Sequence, residues 1–308
     1  MKSGSAQSSY GGFLIAFAAM LWATDSLFRY PLLKQGLSPV MIVLVDHIIC
    51  LLVLFPFVYF RNRTTLWTLT PVEWLGVAFI GAGASGFATV LFTASFGLGN
   101  PSVSILIQKL QPIGVIGLAF LFLKERPDRG YWTWGSLALA SGLVLSFPNF
   151  DFQFTREITM ESKGSIYALI AAGIWAVGTV VGKALLQTLK PSIVTFWRFV
   201  FGAAFLLILA AITNLSVSDL KLLQTPENAQ SLLYIAGVSG LLAMMLYYAG
   251  MKRTTATITT LMELLFPVSA VVLNALFLNV PLKPIQILAS LVLLFSVTQL
   301  NSKSSVQV

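Results

Sequence analysis

Apolar residues run along this chain in long blocks separated by short polar stretches. A membrane span needs roughly 20 mainly apolar residues. Ten segments have about that length, near 11–33, 40–60, 72–97, 101–123, 131–148, 164–188, 192–212, 229–251, 255–278 and 282–300. The longest gaps, 149–163 and 213–228, are short and polar and leave no room for a sizeable soluble domain. The pattern predicts an all-α membrane protein of about ten transmembrane helices.

The blocks also repeat. Ala18-Ala19-Met20-Leu21-Trp22-Ala23, followed by Leu32-Leu33, Gln35, Leu37 and Pro39, is answered by Ala171-Ala172-Gly173-Ile174-Trp175-Ala176, then Leu185-Leu186-Gln187, Leu189 and Pro191. Further on, Pro112 with Leu118, Leu121, Phe122 and Leu123 matches Pro267 with Leu273, Leu276, Phe277 and Leu278. Two units follow, 1–150 and 151–308, each of five spans. An odd number of spans makes the second copy enter the membrane from the opposite face, so the repeat is of the inverted type used for alternating access. Each proline also frees a backbone carbonyl about one turn earlier, which reads either as a structural kink or as a hinge or cavity wall.

Composition agrees: 57% of residues are hydrophobic, 10% are charged and mean hydropathy is +0.86, too apolar for a soluble domain of this length. The first block carries Trp22, Asp25 and Arg29 and has no clear small-residue cleavage site, so it reads as a retained span and not a signal peptide. Cys50, the single cysteine, has no partner for an internal disulfide. With the N-terminus inside, ten basic residues fall on the cytoplasmic side and five on the other. The positive-inside tendency therefore places both termini in the cytoplasm. This bias largely accounts for the net charge of +8, which does not point to nucleic acid.

Trp175 followed by Lys183, Pro191 followed by Arg198, and Glu263-Leu264-Leu265-Phe266-Pro267 resemble the second half of an EamA-type member of the drug/metabolite transporter superfamily. Trp22, Pro39 and Phe122-Leu123-Lys124-Glu125-Arg126-Pro127 are similar to its first half, and the resemblance spans essentially the whole chain. It implies a ten-helix inverted-repeat carrier, commonly an exporter of amino acids or related metabolites. The halves differ where chemistry would matter: Tyr30 stands opposite Lys183, Asp46 and His47 opposite Arg198, and Val280 opposite Glu125.

Charged groups inside spans cost on the order of 2.5–3.5 kcal/mol at the helix centre on insertion scales, so they should face protein or water. Those candidates are Asp25, Arg29, Asp46, His47, Lys109, Lys183, Arg198 and Glu263. Asp25 and Arg29 share a helix face with Trp22 and are placed to pair. Asp46 and Arg198 occupy equivalent places in the two halves, which reads as a salt bridge or as a substrate or gating pair. His47 points about 100° away from Asp46 on a helix and need not touch it; it reads as a hydrogen-bonded structural histidine or a proton relay. Gln108 aligns with Glu263, giving both halves a long polar side chain one turn before a proline. Trp22, Trp175, Tyr247 and Tyr248 offer aromatic walls, packing or interfacial anchors.

These residues set the expected substrate site: Trp22, Asp25, Asp46, His47, Gln108, Lys109, Trp175, Lys183, Arg198, Tyr247 and Glu263. No metal, nucleotide-loop or nucleophile-elbow motif is found, so no enzyme, metal site or cofactor is expected. The expected function is a secondary transporter that exports small polar metabolites, most of all amino acids, across a bacterial-type inner membrane. Proton coupling through Asp46 or Glu263 is one way to drive it. A carrier of nucleoside-like metabolites or organic cations, and a passive channel, stand as alternatives.

Overall fold

Proline opens helix after helix. Pro39, Pro71, Pro101, Pro191, Pro226 and Pro284 are each the first residue of one, where the missing N–H has no intrahelical acceptor to lose. The computed structural model describes residues 2–98, 101–108, 110–146, 160–213, 217–277, 283–303 and 306–307. The 149–163 loop, whose external placement the charge pattern predicts, lies mainly outside the described residues.

The helices of the first half of the sequence are α1 (Lys2–Lys34), α2 (Pro39–Asn62), α3 (Pro71–Leu98), α4 (Pro101–Gln108), α5 (Gln111–Phe122) and α6 (Arg129–Ser146). Those of the second are α7 (Met160–Thr188), α8 (Pro191–Ile212), α9 (Val217–Leu223), α10 (Pro226–Met251), α11 (Ala256–Met262), α12 (Leu265–Phe277) and α13 (Pro284–Lys303). Among the described residues six helices are long and apolar enough to cross a membrane: Tyr10–Lys34 of α1, α2, α3, Lys163–Thr188 of α7, α8 and α10.

The other four predicted spans take shorter or broken forms. The segment 131–148 is the 18-residue α6 and 282–300 is the 20-residue α13. The segments 101–123 and 255–278 are each split in two, as α4/α5 and α11/α12. Pro112 and Pro267 explain the breaks. A proline ring clashes with the carbonyl four residues back, which here belongs to Gln108 and Glu263, and the preceding helices end at Gln108 and at Met262, with Glu263 as the cap.

A second irregularity also recurs. Phe79–Phe87 within α3 and Ile235–Leu242 within α10 are wound as π-helix, a form that is rare and concentrates at functional sites. Each contains the same short pattern, Gly83-Ala84-Ser85-Gly86 and Gly237-Val238-Ser239-Gly240.

The main helix pairings cross the midpoint of the sequence: α1 with α10, α2 with α8, α3 with α7 and α8, and α6 with α13. Small residues permit the close approach of α1 and α10, because a Cβ on Gly250 would lie 2.6 Å from the Gly11 carbonyl oxygen. Trp197 anchors α8 by donating from Nε1 to Leu66 O at 3.0 Å, with Trp67 and Trp74 edge-on to its ring. Outward, Leu52, Phe60, Leu75 and Leu276 are each at least 70% exposed. An apolar exterior of that kind belongs against lipid, where helices satisfy their own backbone groups.

Candidate functional site

A cavity opens between α1, α2, α3, α7, α8 and α10 and the two broken helices, with about 190 Å³ available to the centres of water-sized molecules. It brings together Trp22, Asp25, Asp46, His47, Gln108, Trp175, Arg198, Tyr247 and Glu263. Lys109 lies outside the described residues. Lys183 is not on the lining: its ammonium donates to Met251 O at 2.9 Å and to Thr254 O, capping the end of α10. Its charge is spent on backbone carbonyls, so it reads as a structural cap.

The charged lining residues differ sharply in how well they are satisfied. Asp25 and Arg29 form a two-pronged pair within α1, Nε to Oδ2 at 2.5 Å and Nη2 to Oδ1 at 3.0 Å. Nη1 adds a longer contact to Thr93 Oγ1 at 3.4 Å. The i, i+4 spacing places the two side chains over each other, so this charge is closed locally.

On α2, His47 Nδ1 lies 2.8 Å from Val43 O. A carbonyl only accepts, so Nδ1 carries the proton. Nε2, 2.9 Å from Ser85 Oγ, then accepts the hydroxyl in the neutral ring. The expected divergence of Asp46 and His47 is not seen, since the ring folds back along the helix and Nδ1 comes within 3.5 Å of Asp46 Oδ2. Among the described residues Asp46 Oδ1 receives only the Cys50 thiol at 3.5 Å. Glycines make room for both groups. A Cβ on Gly240 would lie 2.6 Å from Asp46 Oδ1, and one on Gly202 would lie 2.6 Å from His47 Cδ2.

Glu263, at the break between α11 and α12, accepts from Tyr247 OH at 2.8 Å. Gln111 and Thr179 extend the network, with Gln111 Nε2 3.5 Å from Glu263 Oε2 and 3.4 Å from Thr179 Oγ1, itself 3.4 Å from Tyr247 OH. The approach to α11 is stapled from outside the cavity. Glu125, 1% exposed, accepts from Ala256 N at 2.8 Å, Thr257 N at 3.0 Å and Thr257 Oγ1 at 2.7 Å.

Arg198 differs from all of these. It is 9% exposed, and Nη1 donates to Tyr248 OH at 3.1 Å. Among the described residues its Nε is buried without a partner, and the salt bridge to Asp46 allowed by the repeat is not formed.

Aromatic rings supply the remaining walls. Trp175 packs edge-on against Phe92 and donates from Nε1 to Ala84 O, a π-helical carbonyl, at 2.7 Å. Its counterpart Trp22 lies 5.0 Å from the Tyr247 ring. Both π segments reach the cavity, through Ala84 and Ser85 on one side and Ser239 and Gly240 on the other. These positions escaped the sequence reading, although the repeated Gly-x-Ser-Gly marked them.

A helical membrane protein built from two similar sequence halves around a cavity of mixed aromatic and ionic lining is organised as a membrane transporter. The chain belongs to the EamA-like transporter family, whose model matches it twice, over residues 9–147 and 162–302. It is similar to "Riboflavin transporter ImpX" of Fusobacterium nucleatum subsp. nucleatum, with 30% identity over 94% of this chain and 97% of that relative. It is also similar to "Protein PecM" of Dickeya dadantii, with 30% identity over 74% of each chain. A crystal structure 18% identical in sequence shares the fold, with a TM-score of 0.75 over 94% of this chain and 95% of the other.

Proposed function

We propose that this membrane transporter is a secondary carrier of planar heteroaromatic metabolites of the flavin class. In this reading, inverted five-helix repeats at 1–150 and 151–308 work by alternating access. The observation that carries the proposal is the equivalent pair Trp22 and Trp175 on the lining of a cavity that also holds buried polar groups. Flat π-faces stack on such rings, while a few placed donors and acceptors orient the ligand. The similarity to a protein named as a riboflavin transporter supports the same class.

Amino acids are the second reading. The cavity lining holds Asp25, Asp46 and Glu263 with Arg29 and Arg198, an amphoteric set that suits a zwitterion. Purified protein in liposomes preloaded with riboflavin, an amino-acid mixture or adenosine separates these readings. Saturable uptake of labelled riboflavin with counterflow is the expected result. Counterflow confined to amino acids overturns the flavin class, and linear non-exchanging flux makes the protein a channel. The proposed location is a bacterial-type inner membrane with both termini cytoplasmic. Reporter fusions at Phe150 and Val308 should then give opposite signals, and matching signals would remove the inverted architecture.

A further inference from the structure

The guanidinium of Arg198 is always charged, and burying a charge without a partner costs several kcal/mol. Among the described residues no carboxylate lies within 4.0 Å of it. Its only hydrogen bond among the described residues is the one from Nη1 to Tyr248 OH, and that tyrosine ring centroid lies 6.0 Å away. On the opposite edge Nε is buried without a hydrogen-bond partner among the described residues, Nη2 makes none among them either, and Arg198 lines the cavity. Two parallel N–H donors on one edge match a ligand that presents two acceptors in one plane.

We infer that the Nε–Nη2 edge of Arg198 reads an in-plane pair of acceptors, a ring nitrogen and the adjacent carbonyl oxygen, on a fused heterocycle held among the cavity aromatics. The inference rests on the flavin reading and adds the orientation of the ligand. A guanidinium recognises the N7/O6 edge of guanine with the same fork, and N1 with O2 of an isoalloxazine forms an equivalent acceptor pair. A carboxylate would satisfy the fork as well. The aromatic lining decides for a heterocycle, since Trp22, Phe92, Trp175 and Tyr247 all contribute rings to the cavity wall.

The test is equilibrium binding of riboflavin, 1-deazariboflavin and 5-deazariboflavin to the purified full-length protein. The 1-deaza compound exchanges the ring acceptor for C–H, whereas the 5-deaza compound changes a distant ring atom. Riboflavin and 5-deazariboflavin should bind alike, with 1-deazariboflavin weaker by about 5- to 150-fold, the range of one good bidentate contact. In Arg198→Lys, which keeps the charge and loses the fork, riboflavin should weaken and the difference between riboflavin and 1-deazariboflavin should collapse. Equal binding of all three to the wild-type protein overturns the inference and leaves the flavin class standing. That comparison needs no variant, so it holds even if Arg198→Lys fails to fold. Failure of every flavin to bind, with benzoate binding in a manner dependent on Arg198, overturns both and reassigns the edge to organic anions.

Discussion

Replacing Glu125 by Gln should destabilise the protein and weaken its ligand site from outside the cavity. The carboxylate accepts three hydrogen bonds from Ala256 and Thr257 at the start of α11. An amide of the same shape has one acceptor oxygen. Turned to keep both Thr257 bonds, it sets an NH2 against the Ala256 N–H. The loss of one bond to a charged acceptor is about 1.5–3 kcal/mol, and loss of the negative charge at a helix N-terminus adds about 0.5 kcal/mol. The sum is about 2–3.5 kcal/mol, or roughly 3–5 °C in melting temperature for a chain of 308 residues. Thermal unfolding in detergent, followed by tryptophan fluorescence and by loss of monodisperse protein, reads it directly. Because α11 leads straight to Glu263, riboflavin affinity should fall in the same variant. A melting temperature within about 1 °C of wild type would show that the staple contributes nothing and that Glu263 is positioned by other means.

Asp25→Asn should strand the buried Arg29 guanidinium and cost about 3 kcal/mol, measured as the shift in unfolding midpoint; an unchanged midpoint would mean that water replaces the pair. Gly240→Ala places a methyl 2.6 Å from Asp46 Oδ1 and 3.1 Å from Cys50 Sγ. Overpacking of this kind costs about 1–3 kcal/mol, and transport should drop while the protein still inserts; wild-type flux would refute it. If transport is proton-driven, Asp46→Asn or Glu263→Gln should retain exchange of labelled substrate and lose its dependence on an imposed pH gradient, and dependence that survives both would exclude them as carriers.

Much of this site was legible because charge in an apolar block has few places to go. Asp25 and Arg29 pair as their four-residue spacing requires, and the aligned residues of the two halves, Trp22 with Trp175 and Gln108 with Glu263, all reach the cavity. Lys183 misled for the same reason, since nothing in its own segment reveals that α10 ends within reach at Met251. Asp46 and His47 were separated by counting helical angle, which ignores a ring that bends back toward the Val43 carbonyl. The isolation of Arg198 was not legible either, because alignment gives equal depth and not contact. Pro112 and Pro267, legible in the sequence as kinks or hinges, in fact divide two of the ten apolar blocks.

The pairing of helices across the midpoint sets the order of events during synthesis. When α1 enters the bilayer its main partner, α10, is still more than 200 residues from being made. α2 and α3 likewise wait for α8 and α7. The first half must therefore stay in the membrane as loosely associated helices, with Asp25 and Arg29 already paired within α1 and Asp46 exposed to lipid or held by the insertion machinery, until the second half threads between them. A chain split within 149–163 should yield fragments that accumulate only when co-expressed, each acting as the other's folding template.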